Sequence, residues 1–177
     1  MFPKVILVDK KDNFVGYALV EKAHKGQGKH HRAFVTALVD LKGRVLLQRR
    51  KHKLFNGQWD LTAISHPLRL NGKGESYQEA SDRALAKEMG IGHVRVKKVG
   101  AFNYFAKDGA NCENEYCAVL VGKFDGEYEP NRGEVYESKQ VRLEDFVRDQ
   151  KQDPKKYTPW AKLAAKILAN YFQNGYH

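Results

Sequence analysis

Three histidines, three glutamates and a glycine-bearing loop hold most of the chemistry in this sequence. His24 and His31 bracket Gly26 and Gly28, a flexible stretch that lets both imidazoles fold toward one point. His66 stands in Ser65-His66-Pro67, just past the apolar run Leu61-Thr62-Ala63-Ile64. In Glu113-Asn114-Glu115 two carboxylates are spaced by two, which on a strand sends both to the face of Cys117, Val119 and Val121. Two acids directed at an apolar face need a cation or a proton; the plainer alternative is a solvated strand end after the Lys107-Asp108-Gly109 turn. Neutral imidazoles and carboxylates together suit Mg, Mn or Zn. Spacing alone does not assemble such a set.

Glu88 raises a separate question. Ser76 followed by Glu79 forms a capping box, and Gly90 supplies a stop, so the pattern predicts a helix over 76–89. Tyr77, Ala80, Ala84 and Leu85 make its apolar stripe, and Glu88 falls between Tyr77 and Ala84 on the face that should be buried. A metal would satisfy that carboxylate, and so would a buried ion pair with Arg or Lys.

The remaining elements must carry these groups. β-rich segments lie at 3–8, 15–21, 32–40, 44–50, 95–105, 115–124 and 135–142, with turn chemistry at Asp12-Asn13 and Lys42-Gly43. Pro159 opens a second helix over 159–172 bearing Trp160, Leu163, Ala164, Ile167, Leu168 and Tyr171, and a shorter helix is expected around 143–149. Many strands with a central and a terminal helix imply an α+β fold, a sheet core with helices on its faces. No linker or repeat interrupts residues 1–177, so one domain is expected.

Composition narrows the function classes. No apolar run approaches the roughly 20 residues of a membrane helix, so no membrane insertion is expected. The opening Met1-Phe2-Pro3-Lys4 and Val5-Ile6-Leu7-Val8 read as a first strand rather than a signal peptide. Cys112 and Cys117 are too few for a disulfide framework, which points to a reducing cytoplasm. The net charge of +10 attracts any anion, but Lys and Arg are scattered without a basic tail, so no nucleic-acid partner is expected. A monomer acting on a small molecule fits this balance.

In order along the chain, these motifs resemble the type I isopentenyl diphosphate isomerases of the Nudix superfamily. His24 and His31-Arg32-Ala33-Phe34 resemble that family's first two histidine ligands, and Trp59 through Ser65-His66-Pro67 the segment ending in its third. Gly74-Glu75-Ser76 through Arg83 to Glu88-Met89-Gly90-Ile91 resembles its modified Nudix helix. Phe102-Asn103-Tyr104 resembles the segment of its active-site tyrosine, Glu113-Asn114-Glu115 its paired glutamates, and Thr158-Pro159-Trp160 its C-terminal tryptophan.

The resemblance implies a Nudix fold with a mixed sheet. It implies one divalent metal (Mn, Mg or Zn) held by His24, His31, His66, Glu113 and Glu115, and a second ion, Mg, joining a substrate diphosphate to Glu88. Glu115 with Tyr104 would move protons, Trp160 would shield a carbocation, and Lys22, Arg50 and Lys53 are the candidate phosphate contacts. Lys87 stands where the hydrolase signature has a ligand carboxylate. One position departs from the isomerase pattern: Ile64 occupies the place of the catalytic cysteine, in what would be the substrate pocket. Three functions follow: interconversion of isopentenyl and dimethylallyl diphosphate, hydrolysis of a diphosphate as in Nudix hydrolases, or non-catalytic binding of isoprenoid diphosphates. The retained ligand set and Trp160 favour the first.

Overall fold

The computed structural model describes residues 2–175; Met1, Tyr176 and His177 lie outside the described residues, and with Met1 the start of the expected first strand. Its strands are β1 (Lys4–Val8), β2 (Phe14–Leu19), β3 (His31–Val39), β4 (Arg44–Arg50), β5 (Trp59–Asp60), β6 (Ala63–Ser65), β7 (Leu68–Leu70), β8 (Lys73–Gly74), β9 (Val96–Asp108), β10 (Asn111–Lys123) and β11 (Val135–Arg142). The helices are α1 (Val20–Ala23), α2 (Tyr77–Met89), α3 (Leu143–Gln152) and α4 (Pro159–Gln173). The architecture is α+β. Among the described residues, no helix is long and apolar enough to cross a membrane.

One mixed sheet organises the chain. β3 pairs β10 in parallel and β6 antiparallel, while β9 and β10 form a long antiparallel hairpin. The parallel register sets His31 opposite Glu115, Ala33 opposite Cys117 and Val35 opposite Val119. Because strand side chains alternate, each face of this pair buries its own core. One face presents Ala33, Val35, Cys117, Val119 and Val121 to Trp160, Ala161, Ala164 and Leu168 of α4. The other presents Phe34, Leu38, Ala118 and Leu120 to Ala80, Ala84, Leu85 and Met89 of α2.

Local chemistry explains where the helices begin and end. Ser76 and Glu79 form the reciprocal capping box, and Gly90 ends α2 with φ 65, where an added Cβ would lie 2.7 Å from Glu129 O. Pro159 sits in the first turn of α4, and Thr158 accepts a hydrogen bond from Ala161 N at 3.3 Å.

Two expectations need correcting. The segment 15–21 does not stay extended: Val20–Ala23 forms a single helical turn after β2, which reverses the chain toward His24. The stretch 59–74, where no β-rich segment was expected, carries four short strands, and its 67–74 part is the β7–β8 hairpin tied to β1.

Candidate metal centre and substrate cavity

The three histidines and two of the glutamates meet where the parallel strands β3 and β10 begin. One ligand atom from each of His24, His31, His66, Glu113 and Glu115 lies within 4.8 Å of all the others. The imidazole centroids are 4.8, 5.0 and 4.8 Å apart pairwise. Each element contributes for a local reason. His31 and Glu115 are opposed by strand register, and Glu113 repeats on the same face two residues earlier. His24 ends α1, and its carbonyl accepts from Cys112 N at 2.9 Å, which fastens the loop to β10. That loop returns through Gly28, φ 61, where a Cβ would meet Cys112 Sγ at 2.6 Å and Ala23 O at 2.9 Å; only glycine fits. His66 follows β6, and its carbonyl accepts from Arg83 Nη2 at 2.8 Å while Glu75 grips the same guanidinium through two 2.8 Å contacts.

The donor set fits a divalent cation. Nδ1 of His24 bonds Val20 O at 2.6 Å and Nδ1 of His31 bonds Lys29 O at 2.6 Å, so both rings turn Nε2 inward. His31 Nε2 and Glu113 Oε2 are buried without a well-formed hydrogen bond, their nearest partners being Glu115 Oε1 at 3.4 Å and His24 Nε2 at 3.0 Å, which is costly in a site built for protein contacts alone. The carboxylates strain against each other in the same way. Burial and then the charge of Glu115 push the Glu113 carboxyl up, while the imidazoles of His31 and His66 overcome burial and hold Glu115 well below the usual carboxylate range. Burial depresses His66 to about 4, keeping its ring neutral as a ligand requires.

A cavity of about 960 Å³ opens beside this cluster. Tyr104 lies in its wall and donates a hydrogen bond to Glu115 Oε2. Ile64 and Trp160 line it too, and Trp160 packs against Phe55 at 4.9 Å and Tyr104 at 5.8 Å. Glu88 reaches it from α2, almost wholly buried; Gln48 Nε2 donates to it at 2.5 Å, and burial outweighs that bond to raise its carboxyl to about 7. The ion-pair alternative for Glu88 therefore gives way to a neutral amide contact. Arg50 and Lys53 are in the wall; Lys22 is not. On α1 the wall residues are Val20 and Glu21, and a further step of about 100° turns Lys22 to solvent. Lys25, beyond His24, is the lysine that faces the cavity.

Sequence reasoning passed over several members of this wall. His52 lines the cavity 3.5 Å from Glu134, with burial and then the Arg50 charge lowering its ring to about 4; Lys87, noted from the sequence only against the hydrolase signature, lines it too, 2.9 Å from Glu134. Asp60, fully buried beneath Trp160, was also passed over, although an acid next to Trp59 and before an apolar run was a visible signal.

Fold and site together define a Nudix domain: the NUDIX domain family matches residues 29–161, and the chain belongs to that family. Its relatives include isopentenyl-diphosphate Delta-isomerases. The protein of that name from Nocardia farcinica is 38% identical, over 92% of this chain and 93% of its own length. A second, isopentenyl-diphosphate Delta-isomerase 2 from Aromatoleum aromaticum, is 36% identical over 99% of this chain and 92% of its own. Among solved structures, a Deinococcus radiodurans protein shares the fold with a TM-score of 0.69 at 17% identity, covering 93% of this chain and 98% of that one. A MutT NUDIX hydrolase from Burkholderia pseudomallei shares it with a TM-score of 0.61 at 22% identity, covering 78% and 98%.

Proposed function

We propose that this protein interconverts isopentenyl and dimethylallyl diphosphate, acting as a one-domain cytoplasmic monomer over residues 1–177. The observation that carries the reading is the convergence of five ligand groups beside a cavity whose wall carries Arg50 and Lys53 together with Ile64, Tyr104 and Trp160. His24, His31, His66, Glu113 and Glu115 would hold one divalent metal, Mn, Mg or Zn. Glu88 would hold Mg shared with the diphosphate. When bound, these ions neutralise anionic charge and fix the orientation of the acids around them.

The chain's own groups account for the rest. Arg50 and Lys53, with Lys25 and Lys87 also in the cavity wall, bind the diphosphate. The reaction adds a proton to the terminal alkene carbon, C4, and removes one from C2, passing through a tertiary cation at C3. Tyr104 and Glu115, already hydrogen-bonded, hold a proton at the cavity wall and are the pair that exchanges it with the hydrocarbon. Trp160 presents its ring to the cation. Ile64 neither gives nor accepts a proton, so transfer at its wall falls to solvent water. General acid–base catalysis contributes about 10²–10⁴-fold, and turnover is expected to be slow by a factor of that order.

The test is label exchange. With Mg and isopentenyl diphosphate in heavy water, deuterium should enter the five-carbon product; release of phosphate without exchange would transfer the assignment to hydrolysis. Ile64→Cys should then raise the isomerisation rate at least about tenfold, or about 1.4 kcal/mol of barrier, measured as initial rate at saturating substrate. No gain from the restored thiol would mean that proton transfer at this wall does not limit the rate.

A further inference from the structure

Asp60 lies at the end of β5 with no exposed surface, and it is not part of the cavity wall. Its Oδ2 accepts from Trp160 Nε1 at 2.6 Å and from Arg50 Nη1 at 3.3 Å, and its Oδ1 accepts from Leu61 N at 2.8 Å. Arg50 Cζ is itself 5.1 Å from the centre of the Trp160 ring. Of Asp60's side-chain partners, Arg50 and Trp160 line the cavity and Thr158 does not. Two demands therefore collide at one place. A diphosphate wants the Arg50 charge close, while a carbocation over Trp160 is repelled by a guanidinium touching the same ring. In a site this buried, opposite and like charges act across several ångströms with little screening.

We propose that Asp60 is a positioning residue whose carboxylate neutralises Arg50, so that Arg50 can serve the diphosphate without repelling the cation that develops over Trp160. The proposal rests on the isomerase reading given above. A purely structural alternative exists: Asp60 braces the entrance of α4, where Trp59 O also accepts from Thr158 N at 3.1 Å. The two differ in what the charge does. Asn at position 60 keeps an acceptor for the indole and the shape of the side chain, but leaves Arg50 uncompensated.

The experiment uses the full chain with Mg and compares two probes: a tertiary-ammonium diphosphate, which carries a positive charge where the cation forms, and its neutral branched-alkyl isostere. Wild type should prefer the ammonium probe. Asp60→Asn should reduce that preference at least tenfold, leave the neutral probe within threefold, and lower kcat for isopentenyl diphosphate while KM stays level or falls. Asp60→Asn combined with Arg50→Gln removes both charges and should restore the ammonium preference, which also keeps the test alive if the single variant does not fold. Equal weakening of both probes by Asp60→Asn, or failure of the double variant to regain the preference, overturns the proposal. Wild type binding neither probe, or showing no preference, would instead overturn the isomerase reading; wild-type preference that persists in Asp60→Asn sinks the role of Asp60 alone.

Discussion

Glu115→Gln is expected to cost at least about 10³-fold in turnover, because one side chain serves two partners that glutamine cannot both satisfy. Oε1 faces His66 Nε2 at 2.7 Å and His31 Nε2 at 3.4 Å, and Oε2 accepts from Tyr104. The amide is nearly isosteric, but it has no charge for a cation and offers Tyr104 or the imidazoles an N–H where an acceptor stood. Glu113→Gln is the control. Glu113 meets His24 at 3.0 Å, while the Tyr104 hydroxyl donates to Glu115, so loss of Glu113 should weaken metal retention and be corrected by excess metal. Steady-state rates and metal content, measured with and without added Mn or Mg, separate the two. Glu115→Gln turning over like wild type would remove both roles at once.

Glu88→Gln is expected to make the metal-free protein more stable at about pH 8 while it weakens binding of Mg-diphosphate. The folded-state carboxyl titrates at about 7, against 4.5 when unperturbed, because burial opposes its charge. A carboxylate whose folded value is raised adds nothing unfavourable below the unfolded value, then costs stability as pH climbs, and the cost is complete once pH passes the folded value. Over a shift of that size the full cost is about 3 kcal/mol, or roughly 5–10 °C in Tm for a chain of this length. Glutamine removes the cost, and its amide finds an acceptor in Gln48 Oε1, which is buried without a partner. Scanning calorimetry in chelator should show the gain at about pH 8 and little of it at about pH 5. A loss of Tm at the higher pH would show that the Glu88 carboxylate is held by contacts stronger than those to Gln48.

Much of this could be read along the chain, and the exceptions share a cause. The α2 capping box, the Pro159 start of α4 and the single-face placement of Glu113 and Glu115 are local patterns, each completed within a few residues. The anomaly of Glu88 was equally local: a carboxylate on an apolar helical stripe. β5 to β8 were illegible because strands of two or three residues cannot display a period of two; they exist because β1, β3 and β4 offer them edges. The convergence of His24, His66 and Glu113 depends on loops closing over the sheet end, and the hydrogen bond from Trp160 to Asp60 spans 100 positions. No spacing rule reaches that far. Lys22 was misjudged for a smaller reason, since a lone helical turn decides which of its neighbours faces inward.

The histidine–glutamate cluster and the aromatic wall come from different stretches of the chain, and that has a consequence for biosynthesis. All five cluster residues have been added to the chain by residue 115, whereas Trp160 is added later, with α4. A nascent chain can therefore gather its ionic groups while Ala33, Val35 and Val119 still lack the α4 residues that cover them. At about 5–20 residues per second that interval lasts a few seconds, during which the apolar face is open to chaperones or to other chains. A premature stop ahead of Pro159 would leave the histidines and glutamates in a chain whose apolar face is uncovered and whose cavity lacks the Trp160 ring.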